Sequence, residues 1–125
     1  MRVAIIGGGP VGLVSAAVLA GVGHQVCVAD IDPVRTARIA RGEPPFHEPG
    51  LPELLRRVVD EGRLTATGET AHAVAEAEVV LICVGTPPTG SGADLTALRA
   101  ASAAVGAALR GAGGYRAVAV KSTVP

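Results

Sequence analysis

Gly7, Gly9 and Gly12 stand in "AIIGGGPVGL" at the spacing G-x-G-x-x-G, directly after a β-branched run. Gly7 permits a tight strand-to-helix turn, Gly9 lets the backbone approach a diphosphate, and Gly12 lets the helix pack closely on the strand. A diphosphate there meets unpaired N–H groups and the positive end of a helix dipole, about half an elementary charge. Gly8, Pro10 and Val11 complete the turn. Asp30 follows 18 residues beyond Gly12, at the end of a second apolar run. A carboxylate at that point accepts hydrogen bonds from both hydroxyls of an adenosine ribose and repels a 2′-phosphate, which favours NAD over NADP. Arg35 complicates this, because a guanidinium can serve a 2′-phosphate. Beside Asp30 it is expected to stack on adenine or contact the ribose, the alternative being a solvated helix residue. The glycines alone leave the dinucleotide open, since the same ten letters also suit the FAD site of a flavin monooxygenase.

The remaining chemistry-bearing residues are few. Thr86 follows Gly85 at the end of the strongest apolar run, where a hydroxyl can line the diphosphate–ribose path. Thr123 ends the last run, where the nicotinamide half arrives in a sheet of this kind, and its hydroxyl can hold a water or a substrate oxygen. Each Thr also reads as a plain strand-end cap. His24 and His72 have no partners in sequence and read as structural or surface residues, and His47 lies in a proline-rich loop. Cys27 and Cys83 sit inside apolar runs and read as small buried core residues. Neither has a Cys or His at metal-ligand spacing, so no metal site is expected.

The elements that must position these residues alternate. Residues 2–6 read as a buried strand, 11–21 as an Ala-rich helix, and 25–29, "QVCVA", as a second strand. Asp32-Pro33 supplies an N-cap and a proline at the first helical position for a helix to about residue 41. "EPPFHEPG" is a loop, and 52–60 an amphipathic helix. Residues 63–67 are a weak strand candidate, 70–76 a short helix, and 78–85, "EVVLICVG", the strongest strand. "TPPTGSGA" reads as a loop. Asp94 caps a long helix to about residue 110, "GAGG" ends it, and 116–121 form the last strand. Strands alternating with crossover-length helices predict an α/β fold, a Rossmann-type doubly wound parallel sheet in a single domain. Ligands of such sheets bind beyond the carboxyl ends of the strands, where Gly7, Asp30, Thr86 and Thr123 all fall.

Composition narrows the class. With 125 residues the chain is one domain, and its formal net charge of +0 provides no broad basic surface for nucleic acid. Phe46 and Tyr115 are its two aromatic residues, so the core must come from Val, Ile, Leu and Ala, which suits a sheet buried on both faces. Residues 3–23 carry no charge and follow Arg2, superficially like a signal peptide or membrane span. "GGGP" at the centre of that run would break a spanning helix, so no membrane partner is expected. A reduced, cytoplasmic setting is the expected one.

"GGGPVGL", "ADID" with Arg35, "GEPPFHEPGLPELL", "VGTPPTGSGADL" and "KSTVP" occur in the order and spacing of the nucleotide-sugar (UDP-glucose/GDP-mannose) dehydrogenase family. The resemblance spans the whole chain, and the wording is nearest to the family's UDP-glucose 6-dehydrogenases. The flavin alternative explains only the first thirty or so residues and usually wants Glu where Asp30 stands. The resemblance implies NAD as cofactor and a nucleotide sugar as partner, whose C6 alcohol becomes a carboxylate as two NAD are reduced in turn. It implies that Gly7, Gly8, Gly9, Pro10, Val11 and Gly12 hold the pyrophosphate and that Asp30 and Arg35 serve the adenosine ribose. Val84, Thr86 and Pro87 would line the groove, and Thr123 would lie by the nicotinamide and help position the catalytic water. Pro10 departs from the family's usual aromatic residue, and His47 from a common Tyr or Phe; neither change touches a glycine.

By the same resemblance, the thioester-forming Cys, its Lys and acid, and the sugar-binding domain belong to segments downstream of "STVP". Cys83 and Lys121 lie on other motifs and cannot replace them. Residues 1–125 are therefore expected to be the NAD-binding domain of a partial chain, able to bind cofactor without turnover, with marginal solubility and with dimer contacts mainly in the missing part. A stand-alone NAD-binding regulatory module and a different dehydrogenase using the same type of domain are the alternatives.

Overall fold

The computed structural model describes residues 1–110, 114 and 116–122. Strand β1 (Arg2–Ile6) lies at the centre of a five-stranded sheet, with β2 (Gln25–Ala29) and β3 (Leu64–Thr67) to one side and β4 (Val79–Ile82) and β7 (Ala117–Val120) to the other. All the pairings are parallel, with Val3 opposite both Val26 and Val79. Strand order therefore reverses between β1 and β4, which opens a crevice beyond their carboxyl ends.

The inner strands β1 and β4 are covered on both faces because Val3 to Ile6 and Val79 to Ile82 are apolar at consecutive rather than alternate positions. Val3 and Ile5 point to one side, where they pack with α1 (Pro10–Gly21) through Leu13, Ala16 and Ala17 and with α3 (Leu51–Asp60) through Leu55 and Val58. Ala4 and Ile6 point to the other, against Ala73 and Val74 of α4 (Thr70–Val74) and Val105 of α5 (Thr96–Arg110). Helix α2 (Pro33–Ala40) adds Ile39 to the first cluster. The uncharged residues 3–23 thus divide into a strand, a glycine turn and a helix. Among the described residues, no helix is long and apolar enough to cross a membrane.

Several elements differ from the sequence reading. Strand β4 stops at Ile82, because the chain leaves the sheet there to form the crevice wall, although Cys83 N–H still donates to Ile6 O at 2.7 Å. "TPPTGSGA" is not wholly irregular. Its β5 (Pro88–Thr89) and β6 (Gly92–Ala93) pair antiparallel, helped by Gly92 at φ 151°. Helix α4 ends at Val74, where the Arg116 guanidinium donates to the carbonyls of Val74 and Ala75. Cys27 is half-buried rather than a core residue. Short α4 leaves a recess of 470 Å³ over the amino ends of β1 and β2, and Cys27 lines it with Arg2, Thr65 and His72. His24 is half-buried and its Nδ1 has no partner among the described residues. Strand β7 is an edge that exposes Val118 and Val120. Residues 111–113, most of the expected "GAGG" stop, lie outside the described residues.

Candidate functional site

The turn after β1 is fixed by three glycines with three different duties. Gly7 has φ 107°, a conformation that disfavours any Cβ, and a Cβ there would stand 2.7 Å from Cys83 O. At Gly12 a Cβ would stand 1.9 Å from Gly7 O and 3.2 Å from Cys83 Cβ, so helix and strand touch backbone to backbone. Around Gly9 nothing lies within 4 Å of such an atom. Gly9 is the N-cap of α1, no side chain caps that helix, and Pro10 opens it. The helix start therefore presents N–H groups to open space, an arrangement that receives an anion.

The turn after β2 places Asp30 beside the first. Its Oδ2 accepts from Gly8 N–H at 2.8 Å and from Arg35 Nη1 at 3.2 Å, and its Oδ1 accepts from Asp32 N–H at 2.9 Å. Asp32 in turn caps α2, accepting from the N–H groups of Val34 (2.9 Å) and Arg35 (3.3 Å). Thr36 Oγ1 donates to the carbonyls of Asp30 and Asp32. Arg35 is thus neither a merely solvated residue nor unattached: it is the ion-pair partner of Asp30.

Two cavities meet at this junction, 310 Å³ and 370 Å³, and Gly9, Arg35, Cys83, Val84 and Gly85 line both. Gly7, Asp30, Ile31 and Thr70 face the first, closed on its far side by Ala97, Ala100, Ala101 and Ala104 of α5. Pro10, Val11, Thr86, Lys121 and Ser122 face the second. Ser122 Oγ donates to Val84 O at 2.7 Å, tying the end of β7 to the chain leaving β4. Burial pushes the Cys83 thiol above its ordinary pKa, and the nearby Lys121 charge offsets part of this. Burial likewise raises Cys27, partly offset by its hydrogen bond with Thr65. At both residues burial works against the thiolate.

Of the residues singled out in the sequence, Gly7, Gly9, Pro10, Val11, Asp30, Arg35, Val84 and Thr86 line the paired cavities. Gly8 and Gly12 are buried behind them. Pro87 does not line either cavity, because it turns into the β5–β6 hairpin, where its carbonyl accepts from Asp94 N–H. His47 is exposed and faces neither cavity. Thr123 lies outside the described residues. Sequence reasoning missed Ile31, Thr70 and the alanine face of α5. The alanines recur at i, i+3, i+4 and i+7 from Ala97, a helical spacing that marks one smooth face. Among the described residues, no group of three or more His, Cys, Asp or Glu side chains is arranged to hold a metal.

Comparison with known proteins places this geometry. A family model described as "UDP-glucose/GDP-mannose dehydrogenase family, NAD binding domain" matches residues 1–125. UDP-glucose 6-dehydrogenase of Pseudomonas aeruginosa is 48% identical over 126 residues, which cover 100% of this chain and 27% of that protein. Among solved structures, a ternary complex of GDP-mannose dehydrogenase from Pseudomonas aeruginosa superposes with a TM-score of 0.96 at 38% identity, covering 99% of this chain and 29% of that one. A UDP-glucose dehydrogenase from the archaeon Pyrobaculum islandicum gives 0.93 at 41% identity, covering 98% and 29%. The chain thus spans little more than a quarter of the length of the relatives it matches. It belongs to the UDP-glucose/GDP-mannose dehydrogenase family, as that family's NAD-binding, Rossmann-type domain.

Proposed function

We propose that this chain is the cofactor-binding part of a longer nucleotide-sugar 6-dehydrogenase that oxidises UDP-glucose to UDP-glucuronate in two NAD-dependent steps. The uncapped start of α1 carries the cofactor half of this reading: Gly9 opens onto the cavities, while a Cβ at Gly7 or Gly12 would meet backbone. In this reading Gly7–Gly12 receive the diphosphate, and Asp30 and Arg35 meet the adenosine ribose. Val84 and Thr86 line the groove, and in this reading the part of positioning a water by the nicotinamide is assigned to Thr123. NAD, when bound, supplies the hydride acceptor, and the residues here bind and orient it. The 48% identity to a UDP-glucose 6-dehydrogenase supports UDP-glucose as substrate. A second reading, GDP-mannose, is favoured by the 0.96 superposition on a GDP-mannose dehydrogenase.

The chemistry needs a nucleophile, a base and the sugar held within hydrogen-bonding reach. The cavities supply cofactor contacts, and burial disfavours the Cys83 thiolate, so in this reading the 125-residue chain binds NAD without turning over a sugar. The test is to titrate the chain with NADH and then to follow NADH formation from NAD with UDP-glucose or GDP-mannose, beside the protein purified from its native source. The expected result is binding by the chain, turnover only by the native protein, and preference there for UDP-glucose. NADH formation by the 125-residue chain would contradict its inactivity, and a preference for GDP-mannose would overturn the substrate.

A further inference from the structure

The 370 Å³ cavity at the crevice is charged in one sense only. Arg35 and Lys121 line it, and among the described residues no carboxylate does. Arg35 is paired with Asp30 at 3.2 Å, and Asp30 faces the other cavity. Lys121 is the one lysine of the chain, and its exposed side chain makes no hydrogen bond or ion pair with a described residue. Its backbone is nevertheless fixed. Lys121 N–H donates to Ile82 O at 2.8 Å, and the neighbouring Ser122 Oγ donates to Val84 O at 2.7 Å. An uncompensated cation is thus carried on a flexible stem from an anchored base.

The sheet order sets what this cation faces. Strand β4 lies between β1 and β7, so Lys121, after β7, and the start of α1, after β1, flank the chain leaving β4. Gly9, Pro10 and Val11 present that helix start to the same cavity. Its free N–H groups and dipole end are positive as well. Between the two, a Cβ at Gly85 would meet nothing within 4 Å, so the floor has room for a ligand. Like charges flanking a recess concentrate a field that an anion relieves. We propose that Lys121 is a further cofactor-binding residue, meeting the diphosphate of the dinucleotide from the side opposite α1. The two cavities then divide the ligand by charge. The Asp30–Arg35 pair, internally balanced, meets the uncharged ribose, while Lys121 and the start of α1 share the charge of the diphosphate.

This inference rests on the dinucleotide-binding reading, and the experiment separates the two. NADH and ADP-ribose, which carries the same diphosphate without nicotinamide, are titrated calorimetrically into the 125-residue chain and its Lys121→Met and Lys121→Arg variants. Each titration is run at low and at high NaCl. Lys121→Met is expected to weaken both ligands by the same factor at low salt, about tenfold, the scale of one charge-assisted hydrogen bond. The loss shrinks at high salt, because an exposed charge is screened, and Lys121→Arg restores the affinity. A loss that is independent of salt and accompanied by a lower urea midpoint marks a structural lysine and overturns the inference. Equal affinity in the parent and Lys121→Met overturns it and leaves the cofactor reading standing. A loss confined to NADH overturns it too, since Lys121 then acts at the nicotinamide. A parent that binds neither ligand overturns both readings. Should Lys121→Met fail to fold, the parent decides. Its one ε-amine is acetylated and followed by mass spectrometry, with the terminal amine as internal control. Saturating ADP-ribose must slow acetylation of Lys121 relative to that amine, and an unchanged rate contradicts the proposal.

Discussion

The turns after β1 and β2 start from the same plan and end in opposite states. Each leads from a central strand into a helix with proline at its first position. In the second turn the helix start is closed: Asp32 accepts from two N–H groups of α2, and Asp30 and Thr36 bind what surrounds it. In the first, Gly9 offers no side chain, and the start of α1 stays open towards the paired cavities. A helix start with unpaired N–H groups and a positive dipole end is stabilised either by its own cap or by a ligand. On the proposed reading the first turn receives the ligand, and the second holds Asp30 and Arg35.

The largest break in this contrast comes from Gly12. Its Cβ in Gly12→Ala would lie 1.9 Å from Gly7 O, backbone that cannot swing aside, so the helix must leave the strand. Urea unfolding is expected to show a loss of about 3 kcal/mol or more. Next is Asp32→Ala, which opens the closed turn. It should cost about 1 kcal/mol, as loss of an N-cap does, with a lower urea midpoint and an unchanged slope. The smallest effect lies outside both turns, just ahead of α5. Asp94 is held below the ordinary carboxylate pKa by hydrogen bonds from the side chain and backbone of Thr96. Its contribution is complete above the unfolded carboxylate pKa and is lost as pH falls through the lowered folded value. Asp94→Asn should therefore flatten only the acid limb of a stability–pH curve. A change near neutral pH would contradict this account of Asp94.

Much of both turns was legible because their residues are constrained one by one. Gly7 needs a positive φ, Gly12 needs close packing, and Asp32-Pro33 is a helix start in two letters. The strands were legible because a sheet covered on both faces must be apolar at every position, as "VAII" and "VVLI" are. What the sequence hid arises only when elements meet. Ala97, Ala100, Ala101 and Ala104 carry no chemistry, and their part as a cavity wall exists only once α5 packs across the crevice. The β5–β6 pair is two residues long on each side, too short to have a periodicity. The triple engagement of Asp30 depends on Gly8 N–H, a backbone group that no side-chain pattern reveals. Cys27 follows the same rule, since its exposure is set by how far α4 extends over the sheet.

The most direct test of the open turn is to close it as the second one is closed. Gly9 already has N-cap backbone angles, φ −74° and ψ −172°, and nothing stands within 4 Å of a new Cβ, so Gly9→Asp fits without strain. NADH is titrated calorimetrically into the parent chain and into this variant, with urea unfolding run on both. The account predicts a variant at least as stable as the parent, because Asp is as good an N-cap as Gly or better. It also predicts NADH binding weakened by about 100-fold or more, because the new carboxylate takes the N–H groups and repels the diphosphate. A folded Gly9→Asp chain that binds NADH as tightly as its parent would contradict the claim that the start of α1 receives the cofactor.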